Sequence, residues 1–98
     1  MGKYLMLWKL NYNLVPVDPK ERATGYAGLM AGVKQDFEAG IFKDWGSFVG
    51  TGKGYCVVEG TEIEISGMVQ KYSPYCNFES LPVATAEQMN ELFKSMIG

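Results

Sequence analysis

Histidine is absent from the 98 residues, and cysteine occurs only as Cys56 and Cys76. Without imidazole there is no histidine-based triad, no ordinary zinc site and none of the commonest general base. The two thiols are not spaced as a metal-ligand pair, and they read as small half-buried side chains. An excess of basic charge is missing too: 9 Lys and Arg stand against 11 Asp and Glu, for a net charge of −2. The basic residues are scattered, so the chain carries no electrostatic footprint for nucleic acid or an anionic membrane. Long apolar runs are also lacking. The apolar stretch "YLMLW" at 4–8 is closed by Lys9, too short for a signal-peptide core or a spanning helix. Met6 occupies the place where an N-myristoylation signal needs Ser or Thr. These absences lead to the expectation of a cytoplasmic protein with no cofactor or metal and with neither nucleic acid nor membrane as partner.

What is present suits one domain spanning 1–98, since 47% hydrophobic content in a chain of this length fills a single core. "KYLMLWKL" at 3–10 reads as a strand, with Tyr4, Met6, Trp8 and Leu10 on one side and Leu5 and Leu7 on the other. Both sides are apolar, so both need cover. From Asp18 onward the punctuation of a helix is clear: Asp18 as N-cap, Pro19 at the first helical position, Glu21 in the first turn and Gly40 past the end. Tyr26, Met30, Val33 and Phe37 form its apolar stripe.

"KDWGSFVG" and "GYCVVEG" read as two strands of a hairpin, with "TGK" between them. "TEIEISGMVQKYS" admits a strand through Ile63 and Ile65, or a helix through Ile65, Met68, Val69 and Tyr72; the capping-box pair Thr61 and Glu64 favours the helix. "CNFESLPVA" is a further strand, with Pro82 pointing to a sheet edge. "TAEQMNELFKSMI" closes as a helix capped by Thr85 and Gln88, with Met89, Leu92, Phe93 and Met96 on one face. The resulting α+β order is that of a ferredoxin-like βαββαβ unit with an extra C-terminal helix, and it predicts an antiparallel sheet of order 4-1-3-2. One face of that sheet carries the helices; the other is left open. The first strand then separates the strands bearing Cys56 and Cys76 by roughly 9 to 10 Å, beyond the roughly 7 Å reach of a disulfide.

The glycine-rich stretch "VGTGKGYC" at 49–56 has three readings. A phosphate-binding loop requires the pattern G-x-x-x-x-G-K-[ST] leading into a helix, whereas here the glycines lead into a β-branched strand. The RNA-recognition motif has the same order of elements, and "KGYCVVEG" resembles its third-strand signature through Lys53, Gly54, Tyr55 and Val58. It departs where stacking is done: Val57 replaces the second aromatic and Gly60 the last. The third reading is a hairpin tip, in which Gly50, Gly52 and Gly54 allow the reversal.

Taken together, "YLMLWKL", "DPKERA", "KDWGSFVGTGKGY" and "QKYSPYCNFESLPV" resemble a family of small proteins grouped as a domain of unknown function, within the dimeric α/β-barrel superfamily. The resemblance implies that two copies pack their open sheet faces together as a homodimer. It also implies functions ranging from cofactor-independent monooxygenases and isomerases, acting on small aromatic or lactone substrates, to binding proteins with no demonstrated catalysis. Fold does not choose among them. A site for a small apolar or aromatic ligand would draw on Trp8, Tyr12, Trp45, Tyr55, Tyr72 and Tyr75, with Lys9, Asp44 and Glu79 as charged members. Aromatic walls would hold a flat molecule, a buried carboxylate could act as base, and Tyr or Lys could stabilise an oxyanion. The plainer alternatives are that Trp8 and Trp45 belong to the core or an interface and that Tyr72 and Tyr75 flank a helix exit. The leading expectation is a homodimeric small-molecule-binding protein.

Overall fold

The structure is a computed structural model and describes residues 2–98. Its elements run β1 (Gly2–Leu10), a short 3-10 turn (Tyr12–Leu14), α1 (Pro19–Glu38), β2 (Phe42–Ser47), β3 (Lys53–Gly60), α2 (Glu62–Tyr72), β4 (Cys76–Val83) and α3 (Ala86–Ile97). The sheet has the order β2-β3-β1-β4, and every neighbouring pair is antiparallel. This is a ferredoxin-like arrangement with an added C-terminal helix. β1 lies between β3 and β4, and Cys56 and Cys76 are free thiols.

Each helix begins where a side chain can satisfy an amide that the helix itself leaves unpaired. Asp18 Oδ2 accepts from the amide of Glu21 at 3.0 Å. Thr61 and Glu64 exchange reciprocal bonds of 3.2 and 2.9 Å, and Thr85 and Gln88 do the same at 3.1 and 2.8 Å. The segment after Thr61 is therefore helical, and Ile65, Met68 and Tyr72 are its buried positions.

The β2–β3 hairpin closes over residues 48–52, with the amide of Phe48 bonded to the carbonyl of Lys53 at 2.9 Å. Gly50 supplies the positive φ of 77° that the reversal needs. β2 begins at Phe42 and ends at Ser47, so Phe48 to Gly50, expected in the strand, belong to the turn. A bulge between Phe42 and Asp44 shifts the register, and Phe42 and Trp45 end up on the same side of the sheet although three residues apart.

One side of the sheet bears the helices. There Met6, Cys56 and Val58 are fully buried and pack with Phe42, Val33, Ile65, Met68 and Tyr72. The other side is open. It presents Lys3, Leu5, Leu7 and Lys9 from β1, paired in register with Glu59, Val57, Tyr55 and Lys53 of β3 and with Val83, Leu81, Glu79 and Asn77 of β4. Its apolar centre of Leu5, Leu7, Val57, Leu81 and Val83 is only partly shielded.

The expected stripe on α1 faces the sheet, but it is not uniformly buried. Val33 is in the core, whereas Tyr26 and Met30 are 37% and 47% exposed. Asp36, a charged residue, is buried instead, at 4% exposure. α3 stands away from the body: all residues from Glu91 to Gly98 are exposed, including Leu92, Phe93 and Met96. The chain accordingly measures 62 × 26 × 18 Å with a radius of gyration of 16.3 Å. A compact domain of this length would have a radius of gyration of about 13 Å.

Candidate functional site

An apolar cleft lies between the helix-bearing side of the sheet and α1, and its volume is about 310 Å³. Its floor is the indole pair Trp8 and Trp45, stacked with ring centroids 5.4 Å apart and planes 11° from parallel. The two side chains come from β1 and β2, with β3 between them, and Gly54 of β3 makes their meeting possible. A Cβ at Gly54 would lie 2.3 Å from Trp8 Cζ2 and 2.1 Å from the carbonyl oxygen of Gly46. Trp8 also donates from Nε1 to the carbonyl of Tyr55 at 3.2 Å, which fixes the ring's orientation.

The hairpin glycines therefore do more than turn the chain. Gly50 makes the reversal, Gly54 seats an indole, and Gly52 makes room for Tyr12, whose hydroxyl oxygen would lie 2.0 Å from any Cβ there. Tyr12 sits at the hairpin end of the cleft together with Ser47 and Thr51. Tyr26, Leu29 and Met30 of α1 form the roof, while Val33, Phe42, Tyr72 and Phe78 line the interior. Among the described residues, none of the side chains lining the cleft is charged.

Of the residues expected to share a site, Trp8, Tyr12, Trp45 and Tyr72 come together here. Tyr75 does not line the cleft; it is exposed on the loop before β4, where its carbonyl accepts from the amide of Asn11 at 2.8 Å. Asp44 and Tyr55 lie on the open side of the sheet, where Tyr55 donates its hydroxyl to Asp44 Oδ2 at 2.7 Å and stacks on Phe48. That hydrogen bond, with lesser effects of burial and the nearby charge, holds the Tyr55 hydroxyl above the usual tyrosine range. Lys9 and Glu79 share the same open side. The alternation of a strand explains the separation, because neighbours such as Trp8 and Lys9, or Asp44 and Trp45, must point to opposite faces.

The sequence reading missed Asp36. Its carboxylate accepts from the hydroxyl of Tyr72 at 2.5 Å and from Lys71 Nζ at 3.0 Å, so it ties α1 to the end of α2. Burial, followed by the bond to Asp36, pushes the Tyr72 hydroxyl well above the ordinary tyrosine range. Burial and the Asp36 charge push the Cys56 thiol up to about 12, and burial also raises Cys76. High values keep both thiols protonated near neutrality, so neither is an activated nucleophile. All buried side-chain nitrogens and oxygens among the described residues have partners. No group of three or more metal-ligating side chains occurs among the described residues, and no helix there is long and apolar enough to cross a membrane. No protein-family model matches the chain, and no curated protein matches it at a significant level.

Proposed function

We propose that this chain is the subunit of a homodimeric small-molecule-binding protein, in the manner of the dimeric α/β-barrel proteins it resembles, and that the cleft beneath α1 takes a small flat hydrophobic ligand. The observation that carries this reading is the stacked Trp8–Trp45 floor in a cleft of about 310 Å³ whose walls are mainly apolar. A glycine recess that lets two indoles stack beside a cleft gives a planar ligand an aromatic wall, the kind of surface found in concave apolar sites. The open side of the sheet supports the dimer. Leu5, Leu7, Val57, Leu81 and Val83 form an apolar surface ringed by charged residues, and a second copy would cover it isologously. The bare apolar face of α3 adds surface to such an assembly. Two free thiols fit a reducing compartment, and we place the protein in the cytoplasm.

Catalysis as a cofactor-independent monooxygenase or isomerase is less well supported, because Asp44 and Glu79, the carboxylates expected at such a site, are turned away from the cleft. RNA binding is weaker still: Trp8 faces the helices and does not join Tyr55 on the open face. Two measurements test the proposal. Sedimentation equilibrium at micromolar concentration should give twice the 10.9 kDa chain mass, and Leu7→Glu should return it to one. 2-Naphthol should quench tryptophan fluorescence saturably in the native chain and far less in Trp45→Leu. A stably folded monomer would refute the dimer, and the absence of saturable quenching would refute the binding site.

A further inference from the structure

Three hollows meet at Tyr12. One is the apolar cleft; a second shares Tyr12 and Tyr26 with it and holds Arg22, and a third shares Leu10, Tyr12 and Gly52 with it and holds Lys9 and Lys53. This end of the cleft is wet: Tyr12 is 66% exposed, and Ser47 and Thr51 are exposed beside it. Acidic residues outnumber basic ones 11 to 9 in the chain, yet among the described residues no carboxylate lines any of the three hollows. Arg22 is the cation on the cleft's own side of the sheet. It stands one turn of α1 before Tyr26, which stands one turn before Met30, so the row that roofs the cleft ends in a guanidinium. Arg22 is half-buried, and its Nη1 donates to the carbonyl of Val17, a residue of the same hollow, at 3.3 Å. A guanidinium has five N–H donors, and among the described residues no carboxylate forms an ion pair with this one. Asp18 and Glu21 precede it on the helix, but Asp18 Oδ2 is engaged by the amide of Glu21, and neither lines the hollow.

We infer that the cleft takes a flat aromatic molecule bearing a carboxylate at its outer end, and that Arg22 anchors the carboxylate. The rings lie under Tyr26 and Met30, and the acid group stays in the wet mouth, where it keeps part of its hydration and meets a guanidinium whose fork matches it. Lys9 and Lys53 stand directly opposite each other on β1 and β3, an arrangement of like charges that favours an anion nearby, and they raise the potential on the far flank of Tyr12. This inference rests on the reading of the cleft as a ligand site and adds the charge of what enters and the residue that meets it.

Matched probes separate the two ideas. Calorimetric titration of the full chain at pH 7 and low salt would compare 2-naphthoate with 2-naphthamide, which has the same rings without the charge. 2-Naphthoate should bind about tenfold more tightly, a modest advantage because the mouth is open to water. Added salt should shrink that advantage, since exposed charges are screened. Arg22→Gln should abolish most of it while 2-naphthamide binds as before, and this unchanged binding shows that the variant is folded. 2-Naphthamide binding as tightly as 2-naphthoate to the native chain would overturn the inference and leave the ligand site standing. A 2-naphthoate advantage kept whole in Arg22→Gln, or an equal weakening of both probes, would overturn the role of Arg22. If neither probe binds the native chain, the ligand site and the inference fall together.

Discussion

Replacing Gly54 with alanine is the sharpest probe of the cleft floor. The added Cβ would sit 2.3 Å from Trp8 Cζ2, 2.5 Å from Trp8 Cε2 and 2.1 Å from the carbonyl oxygen of Gly46. Two of these atoms belong to a buried indole and one to the backbone of the neighbouring strand, so no flexible side-chain end can yield. Overpacking of this kind costs about 1–3 kcal/mol. Expelling Trp8 would forfeit a stacked aromatic pair worth about 0.5–1.5 kcal/mol and its Nε1 hydrogen bond, worth about 1 kcal/mol. A loss of about 3 kcal/mol lowers the melting temperature of a domain this size by roughly 12–24 °C. Thermal unfolding followed by circular dichroism measures the loss, and the exciton couplet of the two indoles should vanish with it. Adding Trp8→Leu to Gly54→Ala should cost at least about 1 kcal/mol less than the sum of the single changes, because the two residues compete for the same space. A Gly54→Ala variant that keeps the couplet and melts within about 2 °C of the native chain would refute the idea that this glycine seats the indole.

Three further outcomes follow from the buried polar groups and the turn. Tyr72→Phe removes one of the two donors to the buried Asp36 carboxylate and should destabilise the fold by about 1–3 kcal/mol in urea titration; a change near zero would show that Lys71 alone satisfies Asp36. Stability should fall as pH rises above 9. Cys56 is held at about 12 against an ordinary 9.0, and Tyr72 is raised from 10.0, so the unfolded chain releases these protons first. Each group's contribution is complete below its unfolded value and is lost above it, at about 1.4 kcal/mol per pH unit; an unfolding free energy that stays flat between pH 8 and 11 would contradict this. Gly50→Val forces a β-branched residue to φ of 77° and should cost about 1–3 kcal/mol, while Val49→Thr beside it should change stability by less than about 0.5 kcal/mol.

The elements were legible because their signals are local. Asp18, Thr61 and Thr85 announce helices through bonds that span three residues, and the alternation of β1 and β3 fixes which side chains share a face. Sheet order followed from connection rules. The site was legible only in part. Trp8, Tyr12, Trp45 and Tyr72 could be named as aromatics, but their convergence depends on the bulge at Phe42–Asp44, which no local pattern announces. The division of Asp44 from Trp45 across the sheet was available from strand parity alone. Asp36 was hidden because a carboxylate beside an apolar stripe looks like the solvent side of a helix. Its partners Lys71 and Tyr72 lie 35 and 36 residues away.

Asp36 also explains why a cleft exists where a packed core might be expected. α1 is fastened at its C-terminal half: Asp36 is bonded to two residues of α2, Phe37 meets Phe42 edge-on, and Gly32 passes close enough to Tyr72 that a Cβ would lie 3.3 Å from its ring. The hydrogen bonds specify one geometry, because sliding α1 would leave a buried carboxylate without partners. Toward the N-terminus from there, Tyr26 and Met30 roof a space in place of filling it. On the floor, Gly54 makes room for the two indoles to stack on each other over β3. The same carboxylate that a stability-minded reading would count as a liability thus anchors the helix that roofs the cleft.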